Sequence, residues 1–236
     1  MQTNHRGVLT AFIVATFLTA CGQTEKASNE NATTVEHLFV GGLLFDGSGS
    51  APYVGDIGVS DQNIVFVGDA AEANVTSPDT IDATGMWVAP GFIDAHSHAE
   101  LDPDYGRDAL PYLHQGITTV VLGTDGDGTS NVADRLQRWR TNGIGTNGIL
   151  YVGHGYIRRQ VMGDENRAPT TDEMTAMQGL IRKGMDEGAF GLSTGLFYVP
   201  GTYASTDEVI ELAKVAAEYS GAIYDTHDRD LGAVYQ

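Results

Sequence analysis

The chain has 236 residues, and 13 Lys and Arg stand against 31 Asp and Glu, a formal net charge of −18. That balance excludes a binder of the nucleic-acid backbone, which needs a basic surface to displace counterions, and a polybasic membrane patch. With 42% hydrophobic and 19% charged residues, the composition is that of a globular protein, one large domain or two small ones.

The first segment reads as an export signal. Residues 1–6 carry His5 and Arg6 and no acid, and Val8 to Leu18 is apolar apart from Thr10 and Thr16. That run is shorter than the roughly 20 apolar residues of a membrane-spanning helix and fits a signal-peptide core. It ends in Leu18-Thr19-Ala20-Cys21, which resembles a bacterial lipoprotein cleavage box. The resemblance implies cleavage before Cys21, lipid attachment to its thiol and a cell-envelope location. Gly22 in place of an Asp favours the outer membrane. The competing reading is a buried segment with an ordinary cysteine. Cys21 is the only cysteine, so an intrachain disulfide and a Cys-based zinc cluster are excluded. Residues 1–20 are therefore expected to be a signal peptide. Residues 21–35, rich in Asn, Thr, Ser, Glu and Ala, are expected to be a flexible tether.

Residues 36–90 read as a small β unit. His37 to Val40 and Leu43 to Asp46 are short apolar stretches broken by Gly41-Gly42. Asp56 to Val59 and Asn63 to Val67 flank a polar turn at Ser60-Asp61-Gln62, with the β-branched and aromatic content of strands. Ile81 and Met86 to Val88 predict a further strand pair around Thr84-Gly85.

After Ala89-Pro90-Gly91 the pattern changes. Strands are predicted at Phe92–His96, Ile117–Leu122, Ile149–Val152, Ala189–Leu192 and Ala222–Tyr224. Helices are predicted between them at Asn131–Arg140, Thr171–Glu187 and Asp207–Tyr219, from apolar residues at helical spacing. Thr170 with Glu173, and Ser205 with Glu208, have capping-box spacing. Alternating strands and helices imply a parallel α/β sheet, either doubly wound or part of a barrel.

Residues able to carry chemistry gather at the predicted strand ends, where α/β folds place their sites. His96 and His98 follow the first of these strands. Two apart on an extended chain, they face the same side and make a candidate metal chelate. A chance repeat in a surface loop is the competing reading. Asp125 follows the second strand, either as an oxygen ligand or as a turn carboxylate beside Gly126. His154 ends the third, as ligand, substrate contact or donor to a ligand. Ser193 and Tyr198 lie in a glycine-punctuated loop after the fourth; no nucleophile elbow surrounds Ser193. His227 ends the fifth. His37 and His114 read as structural.

These motifs together resemble the amidohydrolase superfamily and, within it, the N-acyl-D-amino-acid deacylase (D-aminoacylase) family. The likeness is carried by Asp46-Gly47-Ser48-Gly49, Ile81-Asp82-Ala83-Thr84-Gly85, Ala89-Pro90-Gly91-Phe92-Ile93-Asp94-Ala95-His96-Ser97-His98, and Gly116 to Gly123. Val152-Gly153-His154-Gly155, Gly191 to Gly201 and Thr226-His227-Asp228-Arg229 extend it. It implies a partial TIM-like (β/α)8 barrel over 91–236, an N-terminal β-sandwich unit over 36–90, and zinc at the carboxyl ends of the strands. The implied metal residues are His96, His98 and His227, with Asp125 where characterised family members carry a cysteine. Ser193, Tyr198 and His154 are implied to face substrate.

The implied activity is zinc-dependent hydrolysis of the N-acyl amide bond of N-acyl-D-amino acids. A further histidine ligand and an aspartate base are expected on later strands, so an inactive fragment ending after the fifth strand, with an aggregation-prone open edge, is expected. The alternatives are another amidohydrolase, such as a cyclic amidase or dipeptidase, or a non-catalytic metal-binding lipoprotein. The first often uses a carboxylated lysine. Lys26, Lys183 and Lys214 are the only lysines and none ends a predicted strand.

Overall fold

A computed structural model of the chain describes residues 32–230. The expected signal peptide, Cys21 and most of the expected tether lie outside the described residues. The chain divides into two compact units at the Val88–Ala89 step.

The first unit holds β1 (Thr33–Thr34), β2 (His37–Leu44), β3 (Tyr53–Ser60), β4 (Asn63–Gly68), β5 (Val75–Thr76), β6 (Asp79–Asp82) and β7 (Trp87–Val88). Its main sheet runs β4-β3-β2-β6, with β7 also paired to β2. The two stretches expected on either side of Gly41-Gly42 are one strand. Gly41 sits in the left-handed region at φ 72°, and the β2–β3 register shifts between Phe39 and Gly42. A bulge thus carries the strand through the glycines instead of ending it. Asp56 secures it, accepting from the Gly41 N–H at 2.8 Å and the Ala70 N–H at 2.8 Å. The expected turn at residues 60–62 is a tight hairpin, with Asp61 and Gln62 at φ 49° and 64°.

Two expectations change in this unit. The predicted pair around Thr84-Gly85 does not pair with itself: β6 and β7 both lie parallel to β2. The tether also ends early. β1 pairs with β5, and Val35 is buried with Leu38, Ala70 and Val75. Burying a valine side chain contributes about 1.5–3 kcal/mol, enough to draw the end of a polar segment into the fold.

The second unit contains β8 (Phe92–Asp94), α1 (Leu110–Leu113), β9 (Ile117–Leu122), α2 (Val132–Asn142), β10 (Asn147–Leu150), β11 (Val152–Gly153), α3 (His154–Met162), α4 (Thr171–Asp186), β12 (Gly191–Gly195), α5 (Thr206–Ala216) and β13 (Ile223–His227). All of its strand pairs are parallel, in the orders β10-β9-β8 and β11-β12-β13. The single third strand of the sequence reading is split at Tyr151. Its first half pairs with β9 and its second half with β12. The sheets do not close into a ring among the described residues.

Leu122, Leu150, Val152 and Leu192 from the strands meet Ile157, Met177, Ile181, Leu212 and Val215 from the helices in one buried core. The two expected helix starts are in place. The Thr170 hydroxyl accepts from the Glu173 N–H, with the Glu173 side chain returning to the Thr170 N–H, and Ser205 caps Glu208. Helix α3 was not foreseen. Its buried face includes His154 and Arg158 beside Ile157 and Met162, so polar residues interrupt the apolar period.

Candidate metal centre

The strand expected over Phe92–His96 ends at Asp94 and bends at Ala95 and His96, where the His96 N–H turns back to Asp94 Oδ1 at 3.4 Å, and the segment beyond the bend is pinned to the end of β9. The Ser97 N–H donates to the Val121 carbonyl at 3.0 Å, and Thr124 Oγ1 donates to the Ser97 carbonyl at 3.3 Å. Burial alternates along it: Ser97 and Ala99 are buried, while His96 and His98 are exposed on the other side. That alternation presents both imidazoles together, with their ring centroids 5.5 Å apart.

Asp125 reaches them from the loop after β9. It lies in the left-handed region at φ 56°, between Thr124 and Gly126. Aspartate tolerates that conformation better than most side chains. Ser193 on β12 holds the loop: its Oγ accepts from the Gly126 N–H at 3.1 Å and donates to the Gly123 carbonyl. The Tyr156 N–H donates to the Gly126 carbonyl at 2.9 Å and the Gly153 N–H to the Gly128 carbonyl at 2.7 Å.

The two carboxylate oxygens divide between the imidazoles. Asp125 Oδ1 lies 3.3 Å from His96 Nε2, and Oδ2 lies 3.2 Å from His98 Nε2. One ligand atom from each of the three residues falls within 4.8 Å of the others. Asp125 Oδ1 is nevertheless buried without a hydrogen bond. A buried carboxylate oxygen left so is costly, on the order of 1–3 kcal/mol or more. A cation between the three groups removes that cost. Two imidazole nitrogens and one carboxylate oxygen suit a borderline divalent ion such as zinc, whose catalytic sites keep three protein ligands and one open position. The residues fit a metal.

His227 is not part of this group of convergent ligand atoms. It ends β13 opposite Gly195, its Nδ1 lies 3.0 Å from the Asp228 carbonyl oxygen, and its ring sits 4.8 Å from Tyr198 and 5.5 Å from Phe197. The aromatic side chains hold the imidazole on their side of the strand end. Tyr198, expected to face substrate, is exposed and forms part of that aromatic cluster.

Ser193 and His154 do not face a solvent-open cleft, as substrate contacts would. Ser193 is fully buried and spends its hydroxyl on the Asp125 loop. His154 is fully buried, with Nε2 2.9 Å from Glu208 Oε1. Glu208 also accepts from Arg158 Nε at 3.0 Å, and Arg158 donates to the Glu165 and Arg167 carbonyls. The Glu208 carboxylate at the start of α5 thus holds His154 inward. Its Nδ1 is buried without a partner.

One neighbour of the cluster escaped the sequence reading. Asp225, central in β13 and in register with Ser193, places Oδ1 3.2 Å from His96 Nδ1. Its other oxygen is buried without a hydrogen bond. Burial pushes the Tyr151 phenol above its ordinary value, and the charge of Asp225 adds to that shift. A signal was available: Asp225 stands two residues before His227 on a strand, as Asp94 stands two before His96.

A family model described as "Amidohydrolase family" matches residues 79–227. The D-aminoacylase of Alcaligenes xylosoxydans xylosoxydans is 36% identical over 231 residues, covering 87% of this chain and 46% of that protein. A solved structure concerned with the functional role of the binuclear metal center in D-aminoacylase, with one-metal activation and second-metal attenuation, superposes with a TM-score of 0.75. It is 33% identical over 83% of this chain and 46% of that one. N-acyl-D-glutamate deacylase from Bordetella bronchiseptica, complexed with zinc and a phosphonate inhibitor that mimics the reaction tetrahedral intermediate, gives 0.77 at 32% identity. It covers 84% of this chain and 46% of that one. The chain spans about half the length of these relatives, and 46% in each case.

Proposed function

The chain belongs to the amidohydrolase family, and from that premise we propose that it serves zinc-dependent hydrolysis of the N-acyl amide bond of N-acyl-D-amino acids. The observation that carries the proposal is the convergence of His96, His98 and Asp125 around a carboxylate oxygen with no hydrogen bond. Relatives named D-aminoacylase and N-acyl-D-glutamate deacylase support the substrate class.

His96 and His98 would hold the ion through Nε2 and Asp125 through its carboxylate. Zinc bound there supplies Lewis acidity, which brings the pKa of water down to about 7 and polarises an acyl carbonyl. The protein's own part is to fix these three groups. The pinned segment beyond β8 sets the two imidazoles. Ser193 sets the Asp125 loop. Two exposed aromatic rings, Phe197 and Tyr198, stand beside His227 and offer an apolar surface to an acyl or side-chain group.

The geometry weighs against a carboxylated-lysine amidase. Lys183 is engaged with the Ser130 carbonyl, Asn131 and Glu187, and Lys214 with Glu211, so neither described lysine serves the cluster. We further propose lipid attachment at Cys21 and a cell-envelope location, supported by the apolar run and cleavage box at residues 8–21.

Zinc analysis after dialysis, with parallel assays on N-acetyl-D- and N-acetyl-L-amino acids by a chain completed with the later strands, tests the main proposal. About one tightly held ion, lost in His98→Ala and Asp125→Ala, with hydrolysis confined to the D series, is the expected result. Full activity in metal-free protein would refute it. Metabolic labelling with a tritiated fatty acid, abolished by Cys21→Ala, tests the anchor.

A further inference from the structure

We propose that Asp225 is a positioning residue for His96: its carboxylate accepts the Nδ1 proton of the imidazole and thereby presents the Nε2 lone pair to the cation. This inference rests on the metal centre proposed above and assigns a role to a residue outside its ligand set.

The two nitrogens of His96 face two different carboxylates. Nδ1 and Asp225 Oδ1, 3.2 Å apart, meet with hydrogen-bond geometry. Nε2 and Asp125 Oδ1 are almost as close, at 3.3 Å, yet Asp125 Oδ1 makes no hydrogen bond. A neutral imidazole has one N–H and one lone pair, and its tautomer follows the hydrogen bond that the non-ligating nitrogen makes. An ionised carboxylate can only accept. Asp225 therefore places the proton on Nδ1 and leaves Nε2 free to ligate.

The placement of Asp225 comes from the sheet. β13 pairs with β12 so that Asp225 stands opposite Ser193 and His227 opposite Gly195. Side chains two apart on a strand share a face, and Tyr224 and Thr226 turn the other way, to Thr194 Oγ1 at 2.8 and 2.6 Å. One strand pair thus supports two ligands. Ser193 holds the loop of Asp125, and Asp225 holds the ring of His96. Carboxylate partners of ligating histidines fix ring orientation and raise ligand basicity, and removing them weakens metal binding by roughly 10–100-fold.

The test measures zinc affinity by competition dialysis on the wild-type protein, Asp225→Ala and Asp225→Asn, together with the ring nitrogen signals of His96 by 15N NMR. Asp225→Ala is expected to bind zinc about 10–100-fold more weakly and to show mixed tautomers at His96. Asp225→Asn, whose amide oxygen still accepts, is expected to recover part of the affinity. The wild-type ring is expected to carry its proton on Nδ1, a reading that does not depend on either variant folding. Equal zinc affinity in all three proteins overturns the proposal and leaves the metal centre intact. So does a wild-type ring protonated at Nε2. So does zinc X-ray absorption showing the loss of an oxygen ligand in Asp225→Ala, because Asp225 would then bind the ion directly. Absence of zinc binding by the wild-type protein overturns the metal centre as well.

Discussion

His154 Nε2 lies 2.9 Å from Glu208 Oε1, with both side chains sealed from solvent. The same oxygen accepts from Arg158 Nε at 3.0 Å. One carboxylate therefore joins the first two turns of α3 to the first turn of α5. Removing one partner of a buried ion pair leaves the other charge uncompensated, at about 3–5 kcal/mol. Glu208→Ala is expected to lose that much stability, measured by urea unfolding. Glu208→Gln, which keeps an acceptor, is expected to lose less.

Ser193 carries a different load. Its hydroxyl serves the Gly126 N–H and the Gly123 carbonyl on either side of Asp125. Ser193→Ala leaves the buried Gly126 N–H without its partner, at about 1–3 kcal/mol, and removes the donor to the part-buried Gly123 carbonyl. The expected outcome is lower stability together with weaker zinc binding, since the left-handed backbone of Asp125 loses its support. Denaturant unfolding and zinc dialysis on the same variant check both.

Two glycines are expected to respond in opposite directions. A Cβ on Gly195 would run into the backbone carbonyl of Asp125. Gly195→Ala is expected to destabilise by about 1–3 kcal/mol through overpacking and to displace the ligand loop. Gly179 lies exposed in the middle of α4, and a Cβ there meets nothing within 4 Å. Gly179→Ala is expected to stabilise by about 0.5–1 kcal/mol, because alanine loses less backbone freedom in a helix. Thermal unfolding separates the two.

The N-terminus of α4 predicts an acid-side dependence. The Arg167 guanidinium, with the Thr170 N–H, holds the Glu173 carboxyl down to about 2 from 4.5. The folded value lies below the unfolded one, so the stabilisation is complete above about pH 4.5. It fades as the pH falls towards about 2. The difference in melting temperature between wild type and Glu173→Gln is expected to shrink across that window. A difference that stays constant from pH 6 to about 2.5 would count against the linkage.

Local signals carried most of the fold. Glycine and polar punctuation marked the β3–β4 hairpin, and capping residues marked the starts of α4 and α5. Helix α3 was hidden because Arg158 and His154 occupy its buried face, and only their pairing with Glu208 on another helix makes that burial tolerable. The pairing partners of β6 and β7 were hidden for a related reason. A short strand's own residues do not say which neighbour completes its hydrogen bonds.

The sequence by itself determined that two imidazoles stand two apart just beyond a strand, a spacing that lets them share a side. It also placed Asp125 and His227 at or near strand ends, whereas Ser193, read as a loop residue after the fourth strand, lies in the middle of β12. Only the tertiary structure decided which of these meet. The parallel register of β12 with β13 sets Asp225 opposite Ser193, brings its carboxylate to His96 and leaves His227 against Tyr198. Side-chain periodicity is local, whereas register is settled by hydrogen bonds between segments far apart in the chain.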